Sequence, residues 1–195
     1  MTPEAVADYL LGDQIAFDAV ALAELAQQAG VSLPQDYIAF LNLRNGGFTS
    51  PTASEQPSLV TRDGYAIDQF YCVTLLEPDW NETSIRNYRA MTLGQWLEET
   101  GRDPANVPPH WIVFGGNWDG DQFALDLSVP GGEVVLFDHE MLPCEDDNGF
   151  PPEDGMERLG LTFTQFLAAL SPHGSPAPSR SLVERLLGLM GRRSG

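Results

Sequence analysis

The chain has 195 residues, 43% of them apolar and 19% charged, and its formal net charge is −18. That balance excludes wholesale disorder, and the length favours one domain with a sizeable core plus appended segments. Phosphate backbones and anionic membranes attract clustered cations, so ten arginines and no lysine against 28 acids argue against either as the main partner. The same imbalance suits a basic protein partner, or serves solubility alone.

Cys72 and Cys144 are too few for a disulfide framework, and neither sits in a CxxC. The sequence allows one long-range disulfide, and two buried thiols are the favoured reading. Met1 to Leu11 carries neither a basic region nor a long apolar run, so no signal peptide is expected. No stretch reaches the roughly 18 uninterrupted apolar residues of a membrane span. A cytoplasmic protein is the expectation.

In chain order, Pro3 to Leu11 predicts a short helix with Val6, Tyr9 and Leu10 on one side. Asp18 to Ala29 predicts a second, capped by Asp18 and ended by Gly30. Pro34 fits the first turn of a third, whose Tyr37, Phe40 and Leu41 make an apolar stripe before Asn45-Gly46-Gly47 stops it. Thr49 to Pro57 reads as a polar loop, Phe70 to Leu76 as a strand and Ile85 to Thr100 as partly helical.

Trp111 to Asp138 carries the clearest pattern. Trp111-Ile112-Val113-Phe114 reads as a buried strand, and Gly115 to Gly120 as a turn-rich connection. Asp121 to Ser128 alternates, with Phe123, Leu125 and Leu127 on one face, and after Pro130-Gly131-Gly132 comes a third strand, Glu133 to Asp138. Three strands on short loops predict an antiparallel meander. Pro143 to Glu157 reads as an acidic loop, and Leu161 to Leu170 as a helix capped by Thr162, with Phe163, Phe166, Leu167 and Leu170 on one face. Ser171 to Arg180 has a linker composition, and Ser181 to Met190 is amphipathic. Arg180, Arg185, Arg192 and Arg193 against Glu184 make that last segment basic; it could fold back on the acidic body or dock on a partner or a membrane surface.

Four segments together resemble the SUKH superfamily. Leu33 to Leu41 followed by Asn45-Gly46-Gly47 is similar to its opening helix, and Trp111 to Leu127 to its central hairpin. Gly132 to Glu140 resembles the strand that follows, and Phe163 to Leu170 the closing helix. The resemblance runs over about residues 18–171. It implies an α+β fold: one domain with a mixed, mostly antiparallel sheet and a central meander packed against helices. Residues 1–17 then form an N-terminal extension, 172–180 a linker and 181–195 a C-terminal amphipathic helix.

The superfamily includes bacterial immunity proteins that bind secreted polymorphic toxins, many of them nucleases or deaminases, and a yeast regulator of cell-wall assembly. The resemblance thus implies a non-catalytic binding protein that neutralises a cognate basic toxin, with a regulatory interaction module as the alternative.

The residues agree with a binding role. His110, His139 and His173 are the only histidines. In Asp138-His139-Glu140 the alternation of a strand puts His139 opposite the two acids, and there is no HExxH, so no metal site is assigned. There is no GxSxG, GxGxxG or P-loop either, and no catalytic residue or cofactor is expected. Asn117 to Asp121 lacks the spacing of a calcium loop and reads as a hairpin turn.

Interface energy concentrates on aromatic anchors. The candidates are Trp118 with Asp119 and Asp121, and Trp80 with Asp79 and Glu82; core packing is the alternative for each tryptophan. Asp138 to Glu157 holds Asp138, Glu140, Glu145, Asp146, Asp147, Glu153, Asp154 and Glu157 with no cation, and Glu145, Asp146 and Asp147 are candidate contacts for a cationic surface. A solvated acidic loop is the competing reading. The chain is expected to act as a monomer or weak homodimer.

Overall fold

Capping chemistry sets the helix boundaries in the computed structural model, which describes residues 1–49, 58–78, 84–101, 104, 107–138 and 155–173. Helix α1 is Pro3–Tyr9, with the Thr2 hydroxyl accepting from the Ala5 N–H. Helix α2 is Ala19–Ala29: the Asp18 carboxylate accepts from the N–H groups of Val20 and Ala21, and Gly30 closes the helix in the left-handed region at φ 68°. Helix α3 is Gln35–Leu43 and buries Tyr37, Phe40 and Leu41; Pro34 occupies its N-cap, one position before the expected first turn.

Strands β1 (Gly47–Phe48), β2 (Leu59–Val60), β3 (Ala66–Ile67) and β4 (Gln69–Phe70) follow, each two residues long, and then a 3-10 turn at Ile85–Asn87. Strand β5 (Met91–Thr92) runs into helix α4 (Leu93–Glu99) through a Thr92–Gln95 capping box. Strands β6 (Trp111–Gly116), β7 (Gln122–Asp126) and β8 (Glu133–Phe137) form the meander. Strand β9 (Met156–Arg158) precedes helix α5 (Phe163–Ala169), which is capped by a Thr162–Gln165 box, and β10 (Ser171–Pro172) comes last.

The main sheet has seven strands in the order β1-β4-β6-β7-β8-β9, with β5 also on β6, and its strands pair antiparallel. Among the described residues, parallel pairing is confined to the isolated Cys72–Arg89 bridge. A second sheet, β10-β2-β3, had no signal in the sequence. The fold is α+β, as expected.

Helices α1, α2, α3 and α5 cover one sheet face. There Ile112, Phe114, Phe123, Leu125, Val134 and Leu136 meet Val6, Leu25, Tyr37, Phe40, Phe163 and Phe166. Rings interlock edge to face, with Tyr37 and Phe163 at 5.1 Å and Phe114 and Phe163 at 5.3 Å. Trp111, Val113, Ala124, Val135 and Phe137 on the other face pack with Leu93 and Leu97 of α4. Helix α1 belongs to the core: Val6 is fully buried, and the Met1 amine donates to the carbonyls of Leu167, Ala168 and Leu170 at the end of α5.

Three expectations are corrected. The strand read over Phe70 to Leu76 contributes only Gln69–Phe70 to the ladder, and Leu75 and Leu76 are exposed. The cause is Asn45: its side-chain carbonyl accepts from the Val73 N–H and its amide donates to the Val73 carbonyl, taking both groups a sheet neighbour would need. The partly helical reading of Ile85 to Thr100 holds: the 3-10 turn at Ile85–Asn87 and helix α4 flank a stretch where Cys72 exchanges backbone bonds with Tyr88 and Ala90 and Met91–Thr92 pairs with β6.

Gly115 and Gly116 are strand rather than turn. A Cβ on Gly115 would lie 2.6 Å from the Gln69 carbonyl oxygen, and one on Gly116 2.7 Å from the Tyr71 hydroxyl, so glycine here permits close strand approach. Glu157, assigned to the acidic loop, sits in β9. The rest of that loop, Cys144, His139, and the linker and C-terminal segment beyond residue 173 lie outside the described residues. Cys72 is a buried free thiol, and burial pushes its pKa up to about 12.

Asp126, fully buried in β7, carries the main ionic feature. Burial alone would raise its pKa; the Ser128 hydroxyl and N–H and the Arg158 guanidinium 2.7 Å away overcome that and lower it. Arg158 also pairs with Glu133 and lies over the Trp111 ring, and His110 Nε2 is 3.6 Å from the carboxylate. A lowered folded-state pKa contributes stability above the ordinary value of 3.8, and loses it as pH falls through the folded-state value. The urea midpoint of the wild type should therefore exceed that of Asp126→Asn at pH 6, and the gap should shrink below about pH 4. A gap that widens on acidification contradicts this account of Asp126.

Candidate functional site

The β6–β7 hairpin ends in a turn that is locked from within. The Asn117 side-chain carbonyl accepts from the Asp121 N–H at 2.8 Å, and its amide donates to Asp121 Oδ2 at 3.0 Å. The backbone closes the same loop through Asn117 N–H to the Asp121 carbonyl at 3.0 Å, and Gly120 takes φ 109°, open to glycine. Below the turn, the Tyr71 hydroxyl donates to Gln122 Oε1 at 2.6 Å, and Gln122 Nε2 donates to the Gly120 carbonyl at 2.7 Å. Burial raises the Tyr71 pKa, keeping the phenol a neutral donor.

This turn presents Trp118, whose side chain is 41% exposed. Its ring stacks on Phe48 of β1 at 5.9 Å and 10°, and meets Tyr88 edge-on at 6.3 Å. Phe48 and Tyr88 are themselves 5.4 Å apart, edge to face. Three distant segments thus converge to hold the indole in one orientation. An anchor held in place before binding loses little conformational entropy when it docks.

Carboxylates lie along the same end of the sheet. Asp119 is exposed and Asp121 half-buried on the turn itself. The Gln122–Phe137 register brings Asp138, at the end of β8, alongside Asp121. Asp68, buried between β3 and β4, accepts the Trp118 backbone N–H at 3.1 Å. The structure therefore brings Trp118, Asp119 and Asp121 together as read from the sequence, and adds Phe48, Asp68, Tyr88 and Asp138. Trp80, Asp79, Glu82, Glu145, Asp146 and Asp147 lie outside the described residues.

Little else resembles a site. Among the described residues no group of three or more His, Cys, Asp or Glu could hold a metal ion. A cavity of about 230 Å³ between α2, Val73 to Leu75 and the β5–α4 segment is lined by Leu25, Met91, Arg89 and Glu99 and shares no residue with the Trp118 cluster. Drug-sized ligands occupy pockets of about 300 Å³ and upward. No helix among the described residues is long and apolar enough to cross a membrane.

A family model described as the SMI1/KNR4 family (SUKH-1) matches residues 16–169. The chain belongs to this family. No curated protein and no solved structure gives a significant match. The SMI1/KNR4 match runs from just before α2 to the end of α5 and takes in the meander, the Trp118 turn and Asp68; α1 precedes it. Membership makes this an immunity-like or regulator-like binding protein, in a family whose members bind partner proteins.

Proposed function

We propose that the chain is a non-catalytic immunity protein that neutralises a basic, nuclease-type toxin by one-to-one contact through the Trp118 end of its sheet. The observation that carries this reading is the locked turn, which offers a half-exposed tryptophan together with Asp119 and Asp121, with Asp138 next to Asp121 on β8. Aromatic side chains are enriched among interface hot spots, and the carboxylates of this end steer a cationic surface toward this one. The net charge of −18 adds a long-range attraction. Neutralisation asks only that the toxin be covered, which agrees with a site built for contact rather than turnover.

The test is to establish whether the neighbouring gene encodes a toxin and to co-express the chain with that gene's product. The chain should restore growth and co-purify with that product at equal stoichiometry. A folded chain that neither rescues nor binds it overturns the proposal.

A further inference from the structure

The cavity of about 230 Å³ between α2 and the β5–α4 segment is smaller than a drug-sized pocket and far above the roughly 10–15 Å³ that admits one water. Leu25 and Val73, both buried, form its apolar wall. Leu75 lines it as well and is 49% exposed, its N–H bonded to Asp18 Oδ2. Beside this apolar wall stand two opposite charges. Arg89 and Glu99 both line the cavity and approach to 4.0 Å, beyond hydrogen-bond reach. Among the described residues the Arg89 guanidinium makes no hydrogen bond. Gln95 lines the same cavity. Its Oε1 accepts from the Thr92 N–H and hydroxyl, which leaves its NH₂ group to donate elsewhere.

Charge selects what fits. A simple anion would meet Glu99 and Glu24 as well as Arg89, in a chain of net charge −18, and a simple cation would meet Arg89. A molecule that carries both charges on neighbouring groups satisfies the pair. We propose that this cavity binds a free aliphatic α-amino acid: its carboxylate accepts from Arg89 and the Gln95 amide, its ammonium donates to Glu99, and its side chain covers Leu25, Val73 and Leu75. An α-amino acid holds both charges on one carbon, which matches a guanidinium and a carboxylate standing side by side. The fork of guanidinium donors suits a carboxylate, and charge-assisted bonds are the strong ones. The aliphatic side chain leaves water as it covers the apolar wall. The cavity shares no residue with the Trp118 cluster, so this proposal does not rest on the binding face assigned above.

The experiment titrates L-leucine into the full chain by calorimetry, beside three probes that each lack one feature. N-acetyl-L-leucine lacks the ammonium, L-leucinamide lacks the carboxylate and glycine lacks the side chain. L-leucine should bind one-to-one, and each of the others at least about tenfold more weakly. Arg89→Met keeps an unbranched stem and the backbone bridge to Cys72, and should lower leucine affinity about tenfold. Glu99→Gln should do the same. Its side chain is 58% exposed, so the variant should melt with the wild type, and it covers the case in which Arg89→Met does not fold. Glu98→Gln removes the same charge from an exposed neighbour on α4 that does not line the cavity, and should leave leucine affinity within about twofold.

No binding of L-leucine up to about 10 mM overturns the amino-acid site. So does equal affinity for L-leucine and any one of the three probes, or an unchanged affinity in a folded Arg89→Met or Glu99→Gln chain. An equal loss in Glu98→Gln and Glu99→Gln also overturns it, because the effect would then belong to the general charge of α4. None of these outcomes bears on the Trp118 end, which the rescue and co-purification test reads separately.

Discussion

Asn45→Ala should cost about 3 kcal/mol of folding stability, read as a lower urea midpoint at unchanged slope. Asn45 is 1% exposed and makes three hydrogen bonds to backbone: its amide donates to the carbonyls of Ala16 and Val73, and its carbonyl oxygen accepts from the Val73 N–H. Ala16 is exposed, so water can replace the lost donor there. Val73 is buried, and truncation leaves its N–H and carbonyl unpaired, at about 1–3 kcal/mol each. The loss also loosens the segment after α3, where a Cβ on Gly46 would already lie 2.8 Å from Cys72. Asn42→Ala removes only an exposed bond to the Ile38 carbonyl and should change stability by less than about 0.5 kcal/mol. A loss below about 1 kcal/mol for Asn45→Ala would mean that this side chain does not tie α3 to the sheet.

Asn45 also marks where sequence reasoning stops. In the sequence it stands in Asn-Gly-Gly after an amphipathic helix, and reads as a stop signal. Its helix does end there, at Leu43, but its principal role is a contact 28 residues away, which no local pattern encodes. The same division holds across the fold. The meander was legible because Asp119-Gly120 separates two long apolar strands, and α5 because Thr162 and Gln165 form a cap before an apolar stripe. Strands β1 to β5 have two residues each, too few to show a period of two, so their pairing emerges only from the folded chain. Gly115-Gly116 looked like a turn because glycine punctuates turns and permits close backbone approach equally well.

The candidate site divides the same way. Trp118, Asp119 and Asp121 adjoin in sequence and were visible as a hairpin tip. Phe48, Asp68, Tyr88 and Asp138 come from four other segments. Asp68 carries no motif, and its bond to the Trp118 backbone is what connects it to the turn.

Trp118→Ala should weaken partner binding by at least about 2 kcal/mol, roughly thirtyfold in Kd, while folding stability falls by about 1 kcal/mol. The two effects differ because the ring contacts Phe48 and Tyr88 on its protein side and leaves 41% of the residue for a partner. Removing it takes one stacked and one edge contact from the fold, but the central apolar anchor from the interface. Val20, 61% exposed on α2 and absent from the Trp118 cluster, is the matched control: Val20→Ala should change neither quantity beyond about 0.5 kcal/mol.

The proposed function requires the Trp118 end of the sheet to take the partner. A calorimetric titration of the cognate toxin, in an inactivated form, into wild-type, Trp118→Ala and Val20→Ala chains tests this. All three should form a one-to-one complex, with a Kd roughly thirtyfold weaker for Trp118→Ala and within about twofold of wild type for Val20→Ala. A folded Trp118→Ala chain that binds as tightly as the wild type would contradict it.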